Sequence, residues 1–323
     1  MLDILFDGPT PLTLIDAPAR GTGKGLLVDV VSGISLGRPA YVMTLPRDED
    51  ELDKRITATL VKGSSMILLD NVTTLKSNTL SAVLTTTLWK GRWLGKSEMV
   101  EAPNLASWIS TGNNVAFSDE MVRRTVHIRL DSGVERPEER TGLHHPDLMA
   151  WVRHNRPLLV SAYLSIVQAW VDAGMPKGQG TLGRFERWVE VMGGILEVVG
   201  IAGFLANREA LYSEADPETR EWIGLCEAWW DQFGQNRITA KDLLEVAREN
   251  DLVLSHWSGR RTLAAQQRLG RALGTRRDRV FGDYRIRTAG ANRQTKGTSY
   301  RLEVVGGNKT PATPATSGNV PEK

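Results

Sequence analysis

The chain has 323 residues, 41% of them hydrophobic and 24% charged, with a formal net charge of +2; this is a globular composition with length for two or three domains. No apolar run reaches the length of a bilayer span, and "MLDILFDGPTPLTLID" has no basic stretch ahead of an apolar one, so neither a spanning helix nor a secretory leader is expected in this sequence. The single cysteine, Cys226, excludes an internal disulfide framework and points to a reducing, cytoplasmic setting.

Over the first 130 residues short apolar runs alternate with helical patterns, the mark of a parallel α/β sheet. "LTLID" is predicted as a buried strand, "KGLLVDVVSGISLG" as a helix stopping at Gly37, and "AYVMTL" as a second strand. An acidic helix, "DEDELDKRITATLVKG", precedes a third strand, "SSMILLDN", whose apolar run ends in Asp70. "SNTLSAVLTTTLW" is predicted as a helix capped by Ser77 or Asn78, "ASWISTGNN" as a fourth strand and "RTVHIRLD" as a fifth.

After "DSGVERPEER" the pattern becomes helical only, in "HPDLMAWVRHN", "RPLLVSAYLSIVQAWVDAG" and "LGRFERWVEVMGGILEVVG". Pro146 and Asp147 open the first of these, directly after His144 and His145. The five histidines show no ligand spacing with Cys226, so no zinc-type site is expected. Glycines 193, 194, 200 and 203 signal close helix packing or a broken helix. "PETREWIGLCEAWWDQFG" opens a last unit in which "RITA", "KDLLEVAREN", "GRRTLAAQQRLGRALGT", "DYRIRTA" and "TSYRLEVV" read as strand, helix, helix, strand, strand, the order of a winged helix-turn-helix. "GGNKTPATPATSGNVPEK" is compositionally a disordered tail.

Charge is divided unevenly along this order. Ser255 to Arg301 holds twelve Lys/Arg against Asp278 and Asp283, a local surplus of +10. Lys309 and Lys323 are balanced by Glu303 and Glu322, so residues 1–254 carry −8. A basic module on an acidic body is the electrostatic footprint of a nucleic-acid contact, although a solvated surface has the same composition.

The residues of "APARGTGKGLL" sit between a strand and a helix, where backbone N–H groups can converge on anionic oxygens. The candidate nucleotide-binding set is Ala19, Arg20, Gly21, Thr22, Gly23, Lys24, Gly25 and Leu26, with Lys24 reaching the terminal phosphates. Pro18 replaces the first glycine of the phosphate-loop pattern and loses only its own N–H. Gly25 replaces the hydroxyl that normally ligates Mg²⁺, so water or another group must stand in. Asp70, at the end of the third strand, is placed to hold the metal or its water; Asn71 after it can orient water but cannot take a proton. Asn113 or Asn114 offers an amide to the γ-phosphate, and Arg123 and Arg124 suit either a neighbouring subunit's γ-phosphate or an ordinary salt bridge.

The succession of phosphate loop, "LLDN", "STGNN" and "DEMVRR" resembles the AAA+ ATPases of phage and mobile elements, more narrowly the helicase half of phage and plasmid primase-helicases related to superfamily 3. The resemblance extends over about residues 10 to 303 and implies an α/β fold: a P-loop parallel sheet at 1–133, a helical lid at 134–215, a winged helix at 216–304 and a tail at 305–323. It implies a ring, commonly a hexamer, with ATP and Mg²⁺ at subunit interfaces and single-stranded or forked DNA threading the centre. By position, Lys24 binds phosphates, Asp70 handles Mg²⁺, Asn113 or Asn114 is the first sensor, and Arg123 or Arg124 is the trans arginine finger. "WKGRWLGKSEMVEAP" stands where related helicases insert a DNA-contacting hairpin, which makes Lys90, Arg92 and Lys96 candidate pore residues; a surface hairpin pinned by Trp89 and Trp93 is the equal alternative.

Two departures from that pattern matter. Asn71 leaves the general base unassigned, with Glu49 or Glu51 as substitutes, and Arg184 or Arg187 is a second sensor or plain helix-surface charge. The chain also begins a few residues before its first strand, where relatives often carry a primase; a stand-alone subunit or a truncated piece is expected, and a primase in trans is a candidate partner. In the basic module, Arg260, Arg261, Arg268 and Arg271 on the second helix meet phosphates or base edges, and Arg276, Arg277, Arg279, Arg285 and Arg287 continue into the wing. The leading expectation is a replicative DNA helicase. Its rivals are an ATP-switch loader or initiator with slow hydrolysis, favoured by Gly25 and Asn71, and a DNA-binding regulator with a dead nucleotide site.

Overall fold

The computed structural model describes residues 5–92, 98–215, 217–250, 252, 262–291 and 298–305. The chain forms two compact units, Met1–Ala215 and Asp216–Lys323. In the first unit, β1 (Leu12–Ala17), α1 (Lys24–Ser35), β2 (Tyr41–Met43), α2 (Glu49–Val61), β3 (Met66–Leu75) and α3 (Asn78–Val83) lead to a hairpin of β4 (Leu88–Arg92) and β5 (Met99–Pro103). Then follow β6 (Ser107–Phe117), α4 (Asp119–Val122), β7 (Thr125–Arg129), a 3-10 turn (Pro137–Glu139), α5 (Leu148–Asp172), α6 (Glu186–Val198) and α7 (Arg208–Ala215).

Five strands form one parallel sheet in the order β2-β3-β6-β1-β7, which makes the unit mixed α/β. The near-continuous apolar run of β3 is explained by burial on both faces. Ile67 and Leu69 join the larger core with Leu12, Leu14 and Trp108, while Met66 and Leu68 pack with Ile15, Val28 and Ile109 on the other face. Parallel strands put all their carboxyl ends on one edge, and that edge carries the polar residues singled out above.

Two local departures from the sequence expectation have physical causes. The helix expected over "SNTLSAVLTTTLW" stops at Val83, because the Asn104 side chain takes the carbonyls of Val83 and Thr86 and starts the hairpin. Trp89 then donates from Nε1 to Thr57 Oγ1 at 3.0 Å, pinning β4 on α2. The two segments split by Pro157 form one helix, α5. Pro157 breaks one backbone bond, but Arg156 Nε anchors this turn to the carbonyls of Gly33 and Ile34 at the end of α1. Gly194 fits the close-packing expectation: a Cβ there would meet the Pro176 carbonyl at 2.0 Å.

The second unit comprises α8 (Pro217–Phe233), β8 (Ile238–Thr239), α9 (Ala240–Glu249), α10 (Thr262–Thr275), β9 (Val280–Phe281), β10 (Tyr284–Ala291) and β11 (Thr298–Val304). Its strands form an antiparallel sheet, β8-β11-β10-β9, in which the two-residue β9 was not anticipated. Trp222, Leu225, Trp229 and Trp230 of α8 pack with Leu243, Leu269, Phe281, Ile286 and Leu302 in a separate core. Thr239 and Asp242 start α9 with reciprocal side-chain caps. Cys226 is buried in this core, and burial pushes its thiol up to about 12, out of the reactive range.

Candidate functional site

Between β1 and α1 the chain turns through Gly21 at φ +74° and Gly23 at φ +89°, left-handed conformations that glycine adopts without strain. Gly23 is the N-cap of α1, and neither a capping side chain nor a first-turn acid satisfies the helix's leading N–H groups. Those donors and the positive end of the helix dipole leave this turn suited to an anion. The 3-10 turn lies against it: a Cβ on Gly21 would meet Glu138 Oε2 at 2.5 Å and the Glu138 amide nitrogen at 3.1 Å. A cleft of about 460 Å³ opens here, lined by Arg20 to Gly25, Asp70, Asn71, Thr111, Gly112 and Asn113.

Strand β6 lies between β1 and β3, and its register with β3 slips twice at the cleft. Leu69 pairs with Ser110 and Val72 with Gly112, so Asp70 and Asn71 together oppose Thr111. Thr74 then pairs with Ala116, so Asn113 to Val115 oppose a single residue. Bulges of this kind redirect side chains that a regular strand would send alternately up and down. Asn71 and Asn114 take left-handed φ values, +54° and +46°, which asparagine tolerates better than most residues.

Lys24 Nζ donates to Asn113 Oδ1 at 2.7 Å, to Thr22 Oγ1 at 3.1 Å and to the Ala19 carbonyl at 3.3 Å. Burial lowers the Lys24 pKa, with the Asp16 charge opposing that shift. Thr111 Oγ1 lies 2.6 Å from Asp70 Oδ1 and accepts the Asn71 N–H at 3.1 Å. Asn114 is not in the cleft lining; its Oδ1 accepts from Arg129, which also binds the buried Asp16 at 2.7 Å. The structure thus separates the two asparagines and adds Thr111, Asp16 and Arg129, none of which was singled out from sequence. "STGNN" held the signal for Thr111, since a hydroxyl two residues before an amide shares its strand edge.

The other expected residues lie outside the cleft lining. Arg124 bonds Ser81 Oγ at 2.6 Å and the Glu120 carboxylate, with 16% side-chain exposure. Arg123 also bonds Glu120 but is 59% exposed. Hydrogen bonds from Arg124, then Arg123, hold the Glu120 carboxyl below its ordinary value. Glu49 accepts from Ser77 Oγ and Thr79 N at the start of α3, and Glu51 pairs with Arg55. Neither lines the cleft. On the hairpin Lys90 pairs with Glu101 at 2.6 Å, Arg92 is exposed, and Lys96 and Trp93 lie outside the described residues. Arg187 pairs with Glu190, and Arg184 sits at φ +73° before α6.

In the second unit α10 carries no acid, and its exposed Arg268 and Arg271 form no ion pair among the described residues. The strand arginines differ. Arg287 reaches Glu303 at 2.6 Å and Asp278 at 2.5 Å, and Arg285 lies 3.8 Å from Glu303. Arg276 bonds Glu218 and stacks over Trp222, while Arg279 covers Phe281. Arg260 and Arg261 lie outside the described residues. Among the described residues no helix is long and apolar enough to cross a membrane, and no group of three metal-ligating side chains occurs.

No protein-family model matches the chain, and no curated protein matches it in sequence. Among solved structures, the apo A form of the NrS-1 C-terminal region aligns with a TM-score of 0.42 and 16% identity, over 91% of this chain and 66% of that one. JCV helicase aligns with TM-scores of 0.30 and 0.29 and identities of 12% and 13%, over 66% of this chain. The chain spans about two thirds of the NrS-1 region and just over half of the JCV chain, by the shares of 66% and 52%. Likenesses this distant carry no argument about activity, and the functional reading rests on this chain's own residues.

Proposed function

We propose that this chain is an ATP-dependent DNA motor of the AAA+ type, a replicative helicase of a phage or mobile element that works as a ring, commonly of six subunits. The observation that carries this reading is the convergence of Lys24, Asp70 and Asn113 on one cleft at the carboxyl edge of a parallel sheet. In this reading the open N–H groups of α1 and Lys24 hold the phosphates, and the Asn113 amide engages the γ-phosphate. Asp70 suits Mg²⁺, a hard cation that takes one or two carboxylates and fills its shell with phosphate and water oxygens. When bound, the ion neutralises charge on the transferring phosphoryl group.

Of the two arginines, Arg123 fits the trans role better, because the less exposed Arg124 is tied to Ser81 within its own subunit. The second unit is read as a winged helix, supported by its order of strand, helix, helix and strands. Its phosphate contacts are assigned first to Arg268 and Arg271 of α10, since Glu303 and Asp278 neutralise much of the charge of Arg285 and Arg287. Lys90 and Arg92 on the hairpin are read as pore contacts to single-stranded or forked DNA, and a primase is a candidate partner in trans.

One observation favours a second reading. Among the described residues Asp70 is the one carboxylate lining the cleft, and Asn71 cannot accept a proton. A slow ATP switch that loads or initiates, rather than a motor, fits that chemistry. Strand displacement on a forked duplex, with DNA-stimulated ATP turnover measured alongside, separates the two. A motor displaces the strand and loses both activities in Lys24→Ala. Nucleotide binding without displacement favours the switch, and no nucleotide binding at all sinks both.

A further inference from the structure

We infer that Thr111 is the positioning residue for the metal-holding carboxylate, doing through Asp70 what the phosphate loop cannot do at Gly25. This rests on the nucleotide reading of the cleft. Gly25 leaves the first turn of α1 without a hydroxyl, so the hydroxyls among the cleft-lining residues are those of Thr22 and Thr111. Thr22 Oγ1 receives Lys24 Nζ. Thr111 is buried, with 3% exposure, and its oxygen touches both residues of the β3 bulge.

The direction of each hydrogen bond follows from the donor inventory. An ionised Asp70 can only accept, so the Thr111 proton points at Asp70 Oδ1 across 2.6 Å. The Asn71 N–H can only donate, so it takes a lone pair of the same oxygen at 3.1 Å. Placing two residues opposite one costs β3 a regular ladder partner, and the Thr111 hydroxyl supplies the substitute. One side chain therefore closes the bulge and fixes one carboxylate oxygen, leaving Asp70 Oδ2 without a hydrogen-bond partner among the described residues. An outer partner of this kind fixes the ligand's orientation, and its loss typically lowers metal affinity by about ten- to a hundredfold.

Only a hydroxyl can serve in both directions. Valine has the shape of threonine without the donor, and serine keeps the donor with less bulk. The test measures the affinity of a fluorescent non-hydrolysable ATP analogue with Mg²⁺ and, separately, in EDTA. In wild type, Mg²⁺ is expected to tighten binding. Thr111→Val is expected to lose about tenfold or more of that tightening while its EDTA affinity stays level, and Thr111→Ser is expected to keep it. Asp70→Asn should match Thr111→Val, with little further loss in the double variant, as for residues acting as one unit. Should Thr111→Val fold poorly, Thr111→Ala carries the same prediction.

A Thr111→Val protein that keeps the full Mg²⁺ increment overturns the inference while leaving the nucleotide reading intact. So does an equal fall with Mg²⁺ and in EDTA, which marks a merely structural role. Wild-type protein that binds the analogue in neither condition overturns the nucleotide reading and this inference with it.

Discussion

Helices α1 and α2 follow neighbouring steps of the same fold, each entered from a parallel strand, yet their first turns are opposites. α2 begins at Asp48, whose side chain accepts the N–H groups of Asp50 and Glu51, and its first turn holds Glu49, Asp50 and Glu51. α1 begins at Gly23 with no cap and no acid. One helix satisfies its positive end from its own sequence; the other leaves it open to the cleft. Capping is worth about 1 kcal/mol, a contribution that α1 forgoes where Gly23 to Gly25 line the cleft.

The contrast can be broken most sharply by giving α1 the chemistry of α2. A Cβ on Gly25 meets nothing within 4 Å, so Gly25→Asp fits sterically. The added carboxylate should stabilise the helix start by about 0.5 kcal/mol while weakening nucleotide binding by about tenfold or more through like-charge repulsion. Paired melting and nucleotide-affinity measurements check both signs, and an unchanged affinity would mean that no anion approaches this turn. The converse change, Asp48→Ala, should lower unfolding free energy by about 1 kcal/mol in denaturant titrations and leave nucleotide affinity alone.

A smaller effect extends the contrast to α3, where Glu49 reaches back to bond Ser77 Oγ and Thr79 N. Burial raises the Glu49 carboxyl, but the bonds from Thr79 and Ser77 outweigh it and leave the pKa below its ordinary 4.5. A depressed folded pKa contributes stability that is complete above the unfolded value and disappears as pH falls through the folded one. The melting temperatures of wild type and Glu49→Gln should therefore differ at neutral pH and converge below about pH 4. Curves that stay parallel into acid would exclude this role.

The sheet was legible because its evidence is local, in short runs such as "LTLID" and "MILLD"; the strand ends were not, since β3 and β6 stay paired past Asp70 and Asn114 to Leu75 and Phe117. The glycine turn between β1 and α1 was legible for the same reason, as strand, glycines, lysine and helix adjoin in sequence. The choice between Asn113 and Asn114 was not, because it depends on where β6 slips against a strand 40 residues earlier. Nor was the charge of the basic module evenly available, since Glu303 and Asp278 reach Arg287 only through the sheet. Leu88 and Trp89 extended a helical pattern past its true end because Asn104, which takes the last carbonyls, lies 18 residues beyond Thr86.

The double slip between β3 and β6 also fixes how these strands can change length. Ile67 and Leu69 enter the larger core at odd positions and Val72 at an even one, so the count of faces changes parity between them. Removing one residue at 70 or 71 would restore an uninterrupted alternation and keep Val72 on the core face, but it would abolish the bulge in which Asp70 and Asn71 together oppose Thr111. Substitutions here exchange chemistry, whereas a single deletion leaves the core faces in phase and removes the bulge that presents the carboxylate. The strand that presents Asp70 is thus held to its residue number as strictly as to its residue types.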